Sequence, residues 1–138
     1  MLRSTIAVLS GFLAVAVLSL ATDQVLHVVN VYPPWGEPMW DWRLNLLALT
    51  YRTIYTVFGG WLTARLAPRR PLKHVAILGG IGLVMATAGA IVAISVADLG
   101  PTWYPVLLAL SSFPSVWIGG RLRVRAASSS AAPAHASA

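Results

Sequence analysis

Four residues of this chain have side chains and spacing suited to polar chemistry inside an apolar setting: Asp23, His27, Tyr51 and Arg52. Asp23 and His27 are four apart, one helical turn, so on a helix they share a face. Ala16, Ser19 and Asn30 extend that face. A second stripe, Asn45, Ala48, Arg52, Thr56, Gly59 and Thr63, repeats at spacings of three and four, with Tyr51 and Tyr55 beside it. An antiparallel hairpin folded about the middle of the intervening connector sets Asp23 level with Arg52, Asn30 with Asn45, Ser19 with Thr56 and Ala16 with Gly59. This register predicts an Asp23–Arg52 ion pair with His27 one turn above it. Two chemistries are open to the group. It can be a structural clamp, or a proton or ion relay in which Asp23 and His27 change protonation. A metal held by Asp23 and His27 alone would have too few ligands, and Arg52 would repel it.

The elements that must position these residues are long and apolar. Of 138 residues, 57% are hydrophobic and only 10% charged, and the mean hydropathy is +0.73; soluble domains carry about a quarter charged residues. Four apolar segments, at about 5–31, 44–66, 72–96 and 102–122, reach the roughly 20 residues a membrane-spanning helix needs. The expected fold is all-α: an integral membrane four-helix bundle of two antiparallel transmembrane hairpins over residues 1–125. The tail 126–138, ASSSAAPAHASA after its first alanine, is expected to be disordered and cytoplasmic.

Charge placement gives the expected orientation. Arg3, then Arg65, Arg69, Arg70 and Lys73, then Arg121, Arg123 and Arg125 fall on one side of alternating helices; Glu37, Asp41, Arg43 and Asp98 fall on the other. The positive-inside rule puts both termini in the cytoplasm of a bacterial inner membrane. The net charge of +6 thus reads as topology and contact with anionic lipid rather than nucleic-acid binding. Trp35, Trp40, Trp42, Trp103 and Tyr104 read as outer interfacial anchors, and Trp61 and Trp117 as inner ones. A competing parse treats 1–21 as a cleaved signal, ending at Ser19-Leu20-Ala21, which would leave three helices.

Gly82, Ala86 and Ala90 in the third segment, and Ser111, Ser115 and Gly119 in the fourth, have the four-residue spacing of small residues that lets helices pack closely, within the chain or with another copy. Pro114 is expected to kink the fourth helix, with Ser111 or a neighbouring helix satisfying the Leu110 carbonyl. A faint repeat relates Trp42, LLAL and Gly59-Gly60 to Trp103, LLAL and Gly119-Gly120.

There is no cysteine, which excludes disulfides and thiolate metal sites. No serine has a base placed for a triad, and no two carboxylates pair for acid–base work, so no enzyme and no cofactor is expected. The stretches ATDQVLHVVNVYPPWGEPMW, ALTYRTIY, GGWLTARLAPRRPLKH and DLGPTWYP resemble a family of small four-helix bacterial inner-membrane proteins, uncharacterised in activity. That resemblance implies an inner-membrane location and matches Asp23, His27, Tyr51 and Arg52 to motif positions. Small multidrug transporters of similar size carry a glutamate in the first helix, which this chain lacks. The leading expectation is a noncatalytic structural or accessory membrane component, its partners the lipid bilayer and a homo-oligomer or larger assembly. The alternative is a small transporter or proton-linked channel using Asp23 and His27.

Overall fold

The computed structural model describes residues 2–130. They form four α-helices, α1 (Leu2–Val28), α2 (Trp42–Leu66), α3 (Pro71–Val92) and α4 (Trp103–Ser130), with no strand among the described residues. Two helices, Leu2–Val28 and Pro71–Ala97, are long and apolar enough to cross a membrane. The other two segments carry the hydroxyls and arginines that lower their hydropathy: Thr50, Arg52, Thr53 and Thr56 in α2, and Ser111, Ser112, Ser115 and three arginines in α4.

Helix ends explain the boundaries. α1 stops at Val28, earlier than expected, because Asn30 turns left-handed (φ 58°) and the Val31 and Tyr32 amides bond back to the Leu26 carbonyl, an αL stop of the kind asparagine tolerates. Asn30 is therefore exposed and does not meet Asn45. α2 starts at Trp42 because Asp41 caps it, its carboxylate accepting from the Arg43 amide at 2.8 Å. Pro71 opens α3, where its missing amide costs nothing. α3 does not run regularly to its expected end: Ala93–Ala97 is one π-helical turn, closed by the left-handed Asp98, whose amide reaches the Ala93 carbonyl. The tail also differs from expectation, since α4 continues to Ser130 and the hydroxyls of Ser128, Ser129 and Ser130 donate to carbonyls four residues back. The remainder of the expected tail, 131–138, lies outside the described residues.

α1 runs antiparallel to α2, and α3 to α4; α2 and α4 lie side by side and parallel. The central contact is reciprocal. A Cβ on Gly60 would collide with the Val116 carbonyl of α4, and one on Gly119 with the Val57 carbonyl of α2. Each helix thus offers Val-x-x-Gly, and each glycine sits on the other helix's valine carbonyl, the close approach that Cα–H···O contacts accompany. Gly59 turns the other way, onto the Gly11 carbonyl of α1 at 3.0 Å from a built Cβ, and Gly120 onto Val75 of α3. Each Gly-Gly pair of the sequence repeat therefore joins its own hairpin to the central helix pair. Thr63, fully buried, donates across to the Ala7 carbonyl. A core of Ala64, Val75, Leu78 and Val116, backed by Val8, Phe12 and Trp117, closes this end.

At Pro114 the Leu110 carbonyl loses its helical donor. Ser111, Ser112 and Ser115 donate to the carbonyls of Leu108, Ala109 and Ser111, so Ser111 does not fill the gap at Leu110. Of the small residues of α3, Ala90 is buried, whereas a Cβ on Gly80, Gly82 or Gly89 would meet nothing within 4 Å, so no described helix packs closely on those three glycines.

Beside that apolar core, polar residues are buried and many large apolar ones face outward. Asp23, Asn45, Thr63, Ser115 and Ser19 are buried, while Leu9, Leu13, Val17, Leu20, Val84 and Leu110 stand exposed. Gly60→Ala should lower the stability of the purified protein by about 1–3 kcal/mol through overpacking, whereas Gly80→Ala, in open space, should leave it unchanged or raise it by up to about 1 kcal/mol from helix propensity. Thermal unfolding of the two variants side by side checks both.

Candidate functional site

The register of the first hairpin brings Asp23 to Arg52. Asp23 lies in the penultimate turn of α1, 5% exposed, and each of its carboxylate oxygens has a donor on α2: Oδ1 accepts from the Tyr51 hydroxyl and Oδ2 from Arg52 Nη2. Among the described residues this is the one ion pair. Tyr51 in turn accepts from the Tyr32 hydroxyl at 3.3 Å, and Tyr32 also reaches the Leu44 carbonyl at 3.4 Å. The result is a chain, Tyr32 to Tyr51 to Asp23, met by Arg52 from the other side. Burial pushes the Tyr32 phenol above its ordinary value, against the lowering effect of its bond to Tyr51, so Tyr32 stays protonated and keeps donating at neutral pH. Thr22, next to Asp23, spends its hydrogen on the Leu18 carbonyl at 2.8 Å, leaving Tyr55 to donate to its oxygen at 2.9 Å.

His27 belongs to the same neighbourhood but not to the same hydrogen-bond chain. Its Nδ1 bonds the Pro33 carbonyl at 2.6 Å; a carbonyl only accepts, so Nδ1 holds the hydrogen. Trp35 lies over the ring at 3.9 Å between centroids, and Tyr32 meets it edge-on at 5.5 Å. Trp35 is tied to Gln24 by its indole N–H at 3.3 Å. The histidine thus anchors the connector after α1 rather than sitting on Asp23.

The connectors form a cover over this group. Met39 donates its amide to the Leu99 carbonyl at 2.7 Å, joining the first connector to the last. Asn45 is buried and donates to the Met39 and Asp41 carbonyls at 2.8 and 2.9 Å, so it pins the cover rather than pairing with Asn30. Beneath lies a cavity of about 260 Å3, lined by Asp23, His27, Tyr32, Asn45, Arg52 and Tyr104 among others. Tyr32 and Tyr104 are the residues that sequence reasoning missed. Tyr32 reads as the first connector residue and Tyr104 as an interfacial anchor, yet both pack around Tyr51, with Tyr32 in its core and Tyr104 against it. The available signal was the two prolines after Tyr32, which hold it extended and bar the helix from continuing. Among the described residues no three His, Asp or Glu side chains come together as a metal site.

Arg52→Ala leaves a buried carboxylate without its counter-charge and should cost about 3–5 kcal/mol. Tyr51→Phe removes one donor and should cost about 1–3 kcal/mol. In a double-mutant cycle, Asp23→Ala combined with Arg52→Ala should be less damaging than the two single losses added, read from unfolding midpoints of the purified protein. No protein-family model, curated protein or solved structure matches this chain.

Proposed function

We propose that this chain is a four-span integral protein of a bacterial inner membrane, both termini cytoplasmic. In this reading it serves as a noncatalytic structural or accessory component, and the Asp23–Arg52 pair clamps its first hairpin. The observation that carries the proposal is the apolar exterior: leucine and valine stand outside along the helices, while Asp23 and Asn45 lie inside. Water would penalise that apolar surface, and lipid would not. The bundle order supports the orientation, because it gathers Arg3, Arg65, Arg69, Arg70, Lys73 and Arg121 at one end, the distribution of a cytoplasmic face. At that end Arg65 lies over Trp61 and Arg121 over Trp117, at 5.2 and 5.5 Å, a pairing suited to the headgroup boundary.

The clamp reading is supported by the partners of the carboxylate: both oxygens of Asp23 have donors on α2. The shared cavity of Asp23 and His27 favours a second reading, a small transporter or proton-linked channel. Asp23→Asn separates the two. The structural role predicts reduced accumulation in the membrane and partial recovery in the swapped pair Asp23→Arg with Arg52→Asp; the transport role predicts normal insertion with lost flux. Membrane abundance by immunoblot, alongside proton flux in vesicles, reads both. Since the chain has no cysteine, single cysteines test topology directly: Glu37→Cys and Asp98→Cys should label with an impermeant maleimide on intact spheroplasts, and Arg70→Cys should not. Equal labelling of all three overturns the four-span arrangement.

A further inference from the structure

A second cavity, of about 500 Å3, opens deeper in the bundle and is lined by all four helices. Its origin is the divergence of α1 from α3. The two meet where Leu78 crowds Gly11, and beyond that level α3 presents Gly82 and Gly89, which line the cavity with nothing near their Cβ positions. Glycine inside a helix costs about 0.5–1 kcal/mol relative to alanine, and neither glycine recovers that through packing within the chain. The volume is that of a small-molecule site.

The cavity has one strongly polar wall. Arg52 lines both this space and the cavity above it. It spends Nη2 on Asp23, but a guanidinium has five N–H donors and 31% of this side chain is exposed, so donors remain for a further acceptor. Hydroxyls of Ser19, Thr53 and Tyr104 also line the cavity but carry no charge, and those of Thr56, Ser111 and Ser112 donate to carbonyls of their own helices. Charge sets the acceptor's type. Asp23 already neutralises Arg52, so an anionic ligand would leave a net charge in an apolar surrounding, whereas a carbonyl oxygen would not. A second copy's helix would spend its carbonyls internally along most of its length, the exception being Leu110, whose donor Pro114 removes; a second copy is therefore an outcome that the test below separates.

We infer that this cavity binds an uncharged lipophilic molecule, its carbonyl oxygen on Arg52 and its apolar body along the Gly82 and Gly89 side of α3. The ligand class is a quinone or an ester-linked lipid, which share that chemistry. This role goes beyond the structural one, and its failure would leave the topology result intact.

The test uses the full chain purified in detergent, with native mass spectrometry of added decylubiquinone, dioctanoylglycerol, decanoate and pentadecane. Either carbonyl probe should bind at least about tenfold more tightly than pentadecane and decanoate, a difference of about 1.4 kcal/mol; which of the two binds names the source. Gly82→Leu and Gly89→Leu, which add side chains into open space, should each weaken that binding about tenfold or more without lowering the unfolding midpoint. Equal retention of pentadecane, tighter binding of decanoate, no adduct at all, or unchanged affinity in both leucine variants would each overturn the inference. So would a dimer that Gly82→Leu dissociates, since a second copy would then fill the space.

Discussion

The arrangement depends on one electrostatic constraint: a carboxylate and a guanidinium removed from water must neutralise one another. Asp23 and Arg52 are 29 residues apart in the chain, and neither could be buried alone without several kcal/mol of uncompensated desolvation. Their contact therefore selects one register of α1 against α2. A shift by one residue would swing Asp23 away from both Arg52 and Tyr51, because adjacent residues on a helix point about 100° apart. The tyrosine chain makes the selection stricter, since Tyr51 supplies the second donor to the same carboxylate and is itself held by Tyr32. The connector that carries Tyr32 is thereby tied to the same charge.

Away from that pair, the bundle is set by close approach rather than polarity. The reciprocal glycine contacts between α2 and α4 bring two parallel helices near enough that a methyl on either glycine would overlap a carbonyl, while Gly11 and Gly59 do the same between α1 and α2. These contacts lie toward one end, together with the Val75 and Leu78 core. At the other end the helices are wider apart, and the space is partly filled by aromatic rings and partly left as the two cavities. Tight packing below and polar tethering above divide the labour: the glycines fix the distance between helices, and Asp23 with Arg52 fixes their relative height.

The two hairpins share a plan but not a chemistry. α2 and α4 both carry a Gly-Gly pair and a tryptophan four residues before an arginine, and both use the glycines to join hairpin to centre. Only the first hairpin has buried charge. The second has serines that donate to carbonyls of their own helix around Pro114, though not to the Leu110 carbonyl that the proline frees, and a π-helical turn that ends α3. Such single π turns are frequent at functional sites; here Ala93, its first residue, lines both cavities beside Arg52 and Tyr104.

Much of this was legible in the residues alone, because the interactions involved are periodic. A turn of helix repeats every 3.6 residues, so the polar stripes on 16–30 and 45–63 announced a shared face, and counting along an antiparallel hairpin was enough to pair Asp23 with Arg52 and place Tyr51 nearby. Hydropathy likewise marked four helices, with ends misplaced by a few residues where a left-handed Asn30 or an Asp41 cap overrode it. What only the tertiary structure decided is aperiodic or directional. Which way Gly59 and Gly60 turn, which small residues of α3 stay unpacked, that His27 bonds Pro33 and not Asp23, and that Tyr32 folds back into the site all depend on the path of connectors and the crossing of helices. A short-range pattern carries no record of those distances in space.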